Sequence, residues 1–383
     1  MCFSSIRFSL IASFLLSISG GPTLSAQSPG EQLASQLPQL SGLFNAFDVT
    51  QGAMFERLVE ISRSGESEAA RGELRQALNI RAQMGMAAMM IMGGGGMADT
   101  PMGGPFGALE SQAVSELTQL LRQEHSASEA RVAFTNSEPL PSRAAGVLQR
   151  GREFEARLFD IYLNSSVGDK AAAVEAAVAE YLSDSDLAVP SAAKLPSLLT
   201  EHPFANAFRT GYPELAGWRW AQQWLKLASL EPIMLGGDRA TTEARVDTTL
   251  ERFSRKIEGM QGMLMLPSEL PMAPAISPVL YSRHQAAAII LDNLILLETI
   301  ITDLLVHPDV PDPYRAIDAI VATFTNPQTN LVEREEEHLL FALRGGIFAQ
   351  GGPALGELLR PERNRSRAEM EMGTHSMPLS GMN

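Results

Sequence analysis

TEARVDTTLERFSRKIEGMQGML, residues 242–264, places Val246, Leu250, Phe253, Ile257, Met260 and Leu264 at alternating steps of four and three. That spacing stacks the six on one face of a 3.6-residue helix. Glu243, Asp247, Glu251, Arg252 and Arg255 fall on the other faces. A half-buried strand would need strict alternation instead. The stretch therefore reads as an amphipathic helix, and the rest of the chain repeats its logic.

One stripe links Leu109, Ala113, Leu117 and Leu120; another links Val147, Gly151, Phe154, Leu158 and Ile161 behind the start signal Pro141-Ser142. Helical patterning recurs around 43–62, 66–92, 169–182, 214–230, 279–306, 313–324 and 329–343. Spaced runs of alternation joined by hairpin turns are not found, so a sheet-based fold lacks its signature. The expected fold class is all-α, an irregular multi-helix bundle or helical array. No fixed-period repeat supports a regular solenoid.

Glycine and proline mark the joints. Residues 93–107 hold four consecutive glycines, then Pro101, Gly103, Gly104 and Pro105, and read as a flexible Gly/Met-rich connector. Pro267, Pro271, Pro274 and Pro278 are too dense for a helix and predict an extended strap over 266–278. Residues 361–383 are polar and read as a disordered C-terminal tail. The expected organisation is a signal peptide at 1–26, a helical segment at 27–92, the linker at 93–107, a helical domain at 108–360 and the tail.

Residues 1–26 carry the marks of a secretory signal. Arg7 supplies a positive start, Phe8 to Ile18 an apolar run of 11 residues, and Gly20 to Ala26 a small-residue exit. Crossing a bilayer takes about 20 apolar residues, so cleavage after Ala26 is expected rather than an anchor. Export to the periplasm or the cell exterior follows. Cleavage removes Arg7, taking the formal charge from −14 to −15, and removes Cys2, the single cysteine of the chain. The mature protein then has no disulfide, no thiolate nucleophile and no Cys-based metal site.

No later stretch reads as a membrane span. The most apolar, Ala286 to Val306, is interrupted by Asp292, Glu298 and Asp303. Charges at bilayer depth cost about 2.5–3.5 kcal/mol each, so a buried helix of the core is expected there. The acidic balance argues against nucleic acid as a partner, which needs clustered Lys and Arg.

Methionine is the compositional anomaly, with 18 in 383 residues, and 15 of them fall in three clusters at 84–102, 260–272 and 370–382. Met84, Met86, Met89 and Met92 have spacings by which soft thioethers gather around Cu(I). The alternatives are apolar filling of a helix, which already accounts for Met260, and an adaptable surface for a protein partner. All three tryptophans, Trp218, Trp220 and Trp224, lie within seven residues. They would stack on a sugar ring if exposed and anchor the core if buried; a helix apolar on all sides favours the core.

Catalytic signatures are missing. His-Glu-x-x-His, the Gly-x-Ser-x-Gly elbow and a Walker sequence are all absent. The one Glu-x-x-His, Glu335 to His338, lacks the second copy that a di-iron bundle needs, so Glu333 to Glu337 reads as a solvated face. His202 and His307 each precede proline and belong to loops or helix ends. No catalytic residue and no cofactor is assigned. The leading expectation is an exported helical protein that acts by binding or scaffolding, with a partner at the Met-rich segment. The two rivals are soft-metal handling through Met84, Met86, Met89 and Met92, and a helical enzyme or glycan binder built on Trp218, Trp220 and Trp224.

Overall fold

A computed structural model describes residues 28–91, 104–260 and 270–343, with backbone alone at 82–91 and 255–260. The expected signal peptide, the glycines at 93–96, the beginning of the Pro-rich strap and the C-terminal tail lie outside the described residues.

Sixteen α-helices make up the described chain, and its one bridge between extended residues joins Lys194 to Leu331. The fold is all-α, an irregular multi-helix array. The first half comprises α1 (Glu31–Gln36), α2 (Pro38–Arg63), α3 (Glu68–Ile91), α4 (Gly107–Leu121), α5 (Ala127–Val132), α6 (Ser142–Leu163), α7 (Lys170–Leu182) and α8 (Ser197–Thr200). The second comprises α9 (Ala207–Gly211), α10 (Pro213–Met234), α11 (Arg239–Met260), α12 (Ala273–Ile276), α13 (Pro278–Arg283), α14 (Gln285–Val306), α15 (Pro313–Thr325) and α16 (Glu335–Ala342).

The stripes face inward. On α6 Val147, Gly151, Phe154, Leu158 and Ile161 are all buried. On α4 Ala113 and Leu117 are buried, with Leu109 and Leu120 half-buried. Val246 and Phe253 of α11 are buried and Leu250 half-buried; the side chains of Ile257 and Met260, and Leu264 altogether, lie outside the described residues. Helices α10 and α14 are buried on nearly every side. They form the middle of one continuous apolar core, to which α2 contributes Phe47, Met54, Phe55 and Leu58. Phe44 meets Phe159 of α6 at 5.3 Å and Phe47 meets Phe253 of α11 at 5.6 Å, so α2 packs into the same core as α6 and α11.

Two of the expected joints fall partly within the described residues. In the strap Met272 is extended, whereas Pro274 lies in the first turn of α12 and Pro278 opens α13. A proline there sacrifices no hydrogen bond, because first-turn N–H groups have no partner within the helix. Residues 104–107, the described end of the connector, pack on the helices. Gly104 packs so closely on α9 that an added Cβ would lie 2.3 Å from the Gly211 carbonyl oxygen. Two residues on, Phe106 stacks on Tyr212 at 4.4 Å.

Buried carboxylates tie these helices together. The N-terminal residues of α1, α9, α10, α12 and α13 lack any cap from their own flanking side chains. A distant acid caps each one instead. Asp160 of α6 accepts from the N–H groups of Gly30, Gln32 and Leu33, at 2.7–3.1 Å. Asp303 of α14 accepts from Asn206 and Phe208, both at 2.9 Å, and Asp292 of the same helix from Ala273 at 2.8 Å. Glu110 of α4 accepts from Leu215, and Glu231 of α10 from Val279, each at 3.0 Å. A carboxyl oxygen at a helix N-terminus satisfies an orphan donor, and where it is ionised it also complements the helix dipole. The interruptions Asp292, Glu298 and Asp303 of α14 are thus its anchoring points.

Candidate functional site

The third of those acids, Glu298, sits at the centre of the molecule in a network drawn from α2, α6, α10 and α14. Its carboxylate accepts from the Arg152 guanidinium at 2.6 Å, the Gln51 amide at 3.0 Å and the Gln223 amide at 2.9 Å. Arg219 donates to its backbone oxygen at 3.1 Å and to the hydroxyls of Thr302 and Thr299 at 2.6 and 2.7 Å. Asp48 joins Arg152 at 3.4 Å and Lys226 at 2.6 Å, while Glu155 joins the same two cations at 3.6 and 3.5 Å. Three cations therefore face three carboxylates.

Burial pushes the Glu298 carboxyl up, but Arg152, Arg219 and the two amides reverse this and hold it below the ordinary carboxylate range. Arg152 is buried too, which favours its neutral form; Glu298, Glu155 and Asp48 outweigh burial and strengthen its charge. Burial lowers Arg219 to about 10, still protonated at neutral pH. Glu298, Arg152 and Arg219 are thus held in their charged forms. Catalysis by general acid or base needs a group poised to exchange a proton near the working pH. Glu298 and its two arginines are not poised in that way, and the network ties four helices together as a polar keystone.

Two acids outside the network are poised differently. Burial drives Glu110 up to about 8, against the opposing hydrogen bond from Leu215, and drives Glu231 up to about 7, against that from Val279. The second oxygen of Glu110 and the hydroxyl of Tyr212 are both buried without a hydrogen-bond partner.

The tryptophans occupy the core. Trp218 and Trp220 are each 6 % exposed and Trp224 is fully buried, so none presents a face to a sugar ring. Met84, Met86 and Met89 fall on the last turns of α3, where only the backbone is described; Met92 lies outside the described residues. Among the described residues no group of three or more His, Asp, Glu or Cys is placed to hold a metal ion. Glu333 to Glu336 are exposed, whereas His338 is buried and lies 3.1 Å from Asp292. His307 caps the end of α14, and His202 lies in the loop between α8 and α9, 3.6 Å from Asp303.

Open space lies at the surface, in two clefts that the sequence did not flag. The larger, of about 640 Å³, is walled by the end of α2, the loop before α6 and the α14–α15 junction. Pro139, Pro308, Pro311 and Pro313 line it with Arg63 and Tyr314. The smaller, of about 490 Å³, lies where α6, α10 and α13 end and α7 and α14 begin, lined by Tyr162, Lys170, Ile233, Met234, Arg283 and His284. No protein-family model, curated protein or solved structure matches the chain.

Proposed function

We propose that this is an exported protein that acts by binding a protein partner, with the proline-lined cleft as its docking face. The observation that carries the reading is Tyr314. This residue is half-exposed yet held in place, its hydroxyl donating to the Leu140 carbonyl at 3.2 Å. Tyrosine and arginine are the side chains that most often anchor interfaces, and Arg63 stands exposed on the same wall. The prolines present apolar surface without rotamer freedom to lose on association.

Two features support the wider reading. Residues 1–26 have the signal-peptide pattern, and no described helix is long and apolar enough to cross a membrane. Buried ion pairs and hydrogen bonds join α2, α6, α10 and α14, which suits a rigid scaffold. The test is a photo-crosslinking amino acid placed at position 314, with the same group at exposed Glu180 as the control. A discrete adduct from 314 in the native host, absent from 180 and lost on Arg63→Glu, is the expected result. Equal labelling from both positions would refute the docking face.

A further inference from the structure

The smaller cleft carries a ligand site of its own, independent of the docking face. Among the described residues its lining has two basic side chains, Lys170 and Arg283, and no carboxylate, in a chain with 44 acidic against 30 basic residues. Both cations have donors to spare. Lys170 spends two of three N–H groups on the carbonyls of Ile161 and Asn164, at 2.8 and 2.5 Å. Arg283, exposed at its tip, donates to the Met234 carbonyl at 3.0 Å and to the Tyr162 hydroxyl, from a group with five donors.

The rest of the lining favours the same sign of charge. Lys170 and Ala171 open α7, whose N-cap Asp169 already accepts from Ala172 at 2.9 Å, while α14 begins behind His284 without a side-chain cap, so the positive end of α14 borders the cleft. The carbonyls at the ends of α6 and α10 are already answered by Lys170, by Arg283 and by Arg245, which donates to Gly236 at 2.7 Å. Glu175 acts on His284 by its charge, Glu231 faces Arg283 from α10 and Asp169 caps α7; none of the three lines the space. The apolar lining that a ligand could reach comes from the half-buried Tyr162 ring and the exposed Ala171, with Ile233 and Met234 buried beneath them. At about 490 Å³ the space falls in the range of small-molecule pockets.

We propose that this cleft binds a small amphiphilic organic anion, its headgroup at Lys170 and Arg283 and its apolar body against the Tyr162 ring and Ala171. A carboxylate and a phosphate ester share this chemistry. The Tyr162 hydroxyl, 2.5 Å from His284 Nε2, is fixed at the same mouth and adds a polar contact.

The test is calorimetric titration of the purified protein with octanoate, octyl phosphate and the neutral analogue octanol. Binding of at least one anion, about tenfold or more tighter than octanol, is expected, and the preferred anion identifies the headgroup. Arg283→Met and Lys170→Met should each weaken it about tenfold. Because both side chains also cap helix ends, Ala171→Trp is the cleaner variant: Ala171 is exposed, both cations remain, and the indole fills the space. It should abolish binding with an unchanged melting temperature. Equal affinity for octanoate, octyl phosphate and octanol, no binding of any of them, or full anion binding by Ala171→Trp would overturn the proposal.

Discussion

Replacing Glu298 by leucine removes the acceptor on which the centre of the molecule converges. Three side-chain donors lose their partner, at 2.6, 2.9 and 3.0 Å, one of them the buried Arg152 guanidinium. Removing one member of a buried ion pair costs about 3–5 kcal/mol, because the partner charge is stranded. Arg152 is not wholly stranded, since Asp48 and Glu155 remain at 3.4 and 3.6 Å. Arg219 keeps its hydrogen bonds to the Glu298 backbone and to Thr299 and Thr302. Those contacts keep the loss within the same range of about 3–5 kcal/mol rather than a sum over three broken bonds.

Urea unfolding followed by tryptophan fluorescence reads this directly, because all three indoles lie on α10 beside the network. The double variant Arg152→Met/Glu298→Leu should lose less than the two single losses combined, by about 1–3 kcal/mol, since it strands no Arg152 charge. The pH dependence has a definite sign. The folded-state carboxyl lies below its ordinary value, so its contribution is complete above about pH 4.5 and fades as pH falls through the depressed value. The gap between wild type and Glu298→Leu should therefore close in strong acid. A loss under about 1 kcal/mol, or single and double variants additive within about 0.5 kcal/mol, would refute the keystone role.

Other outcomes follow from the same geometry. Glu110, raised to about 8, is protonated in the folded state over a range where the unfolded chain has released its proton, so it erodes stability as pH climbs from about 4.5 to 8. Glu110→Gln should flatten that slope, gaining in melting temperature over wild type at pH 8.5 but not at pH 4; parallel profiles would contradict it. Lys194 donates to the carbonyls of Thr323, Asn326 and Thr329 at 2.6–2.9 Å, so Lys194→Met leaves three acceptors unpaired. Its unfolding free energy should fall by about 3 kcal/mol or more, and a fall within about 0.5 kcal/mol would show the clamp to be idle. Gly52→Ala puts a Cβ 2.7 Å from the Ala133 carbonyl oxygen and should cost about 1–3 kcal/mol in urea unfolding by forcing α2 away from α5. Wild-type stability there would mean that the two helices are not in contact in solution.

The long helices were legible because each carries its own instructions. Residues 313–324 were read from their period, and in the structure Asp312 caps Arg315, Pro313 opens the turn and Ile317, Val321 and Phe324 are buried. Short helices were missed where those instructions lie elsewhere. Neither α9 nor α12 has a local cap, a stripe of useful length or more than five residues. Each exists because a carboxylate more than 15 residues away in sequence accepts from its first N–H groups. The one available signal was the trio Asp292, Glu298 and Asp303 in an otherwise apolar stretch; it shows that α14 is not a membrane span but not what each acid holds.

Periodicity, a local property of neighbouring residues, determined by itself that this chain is helical and which faces turn inward. Composition determined that the chain has only Cys2, so that a mature protein cleaved after Ala26 holds together without disulfides. Only the tertiary structure decided that Asp48, Arg152, Lys226 and Glu298 form one network and that Lys170 and Arg283, 113 positions apart, share a cleft. The physical reason is that charge pairing and cavity shape depend on distance in space. Helix period constrains distance along one element and says nothing of which other element will lie beside it.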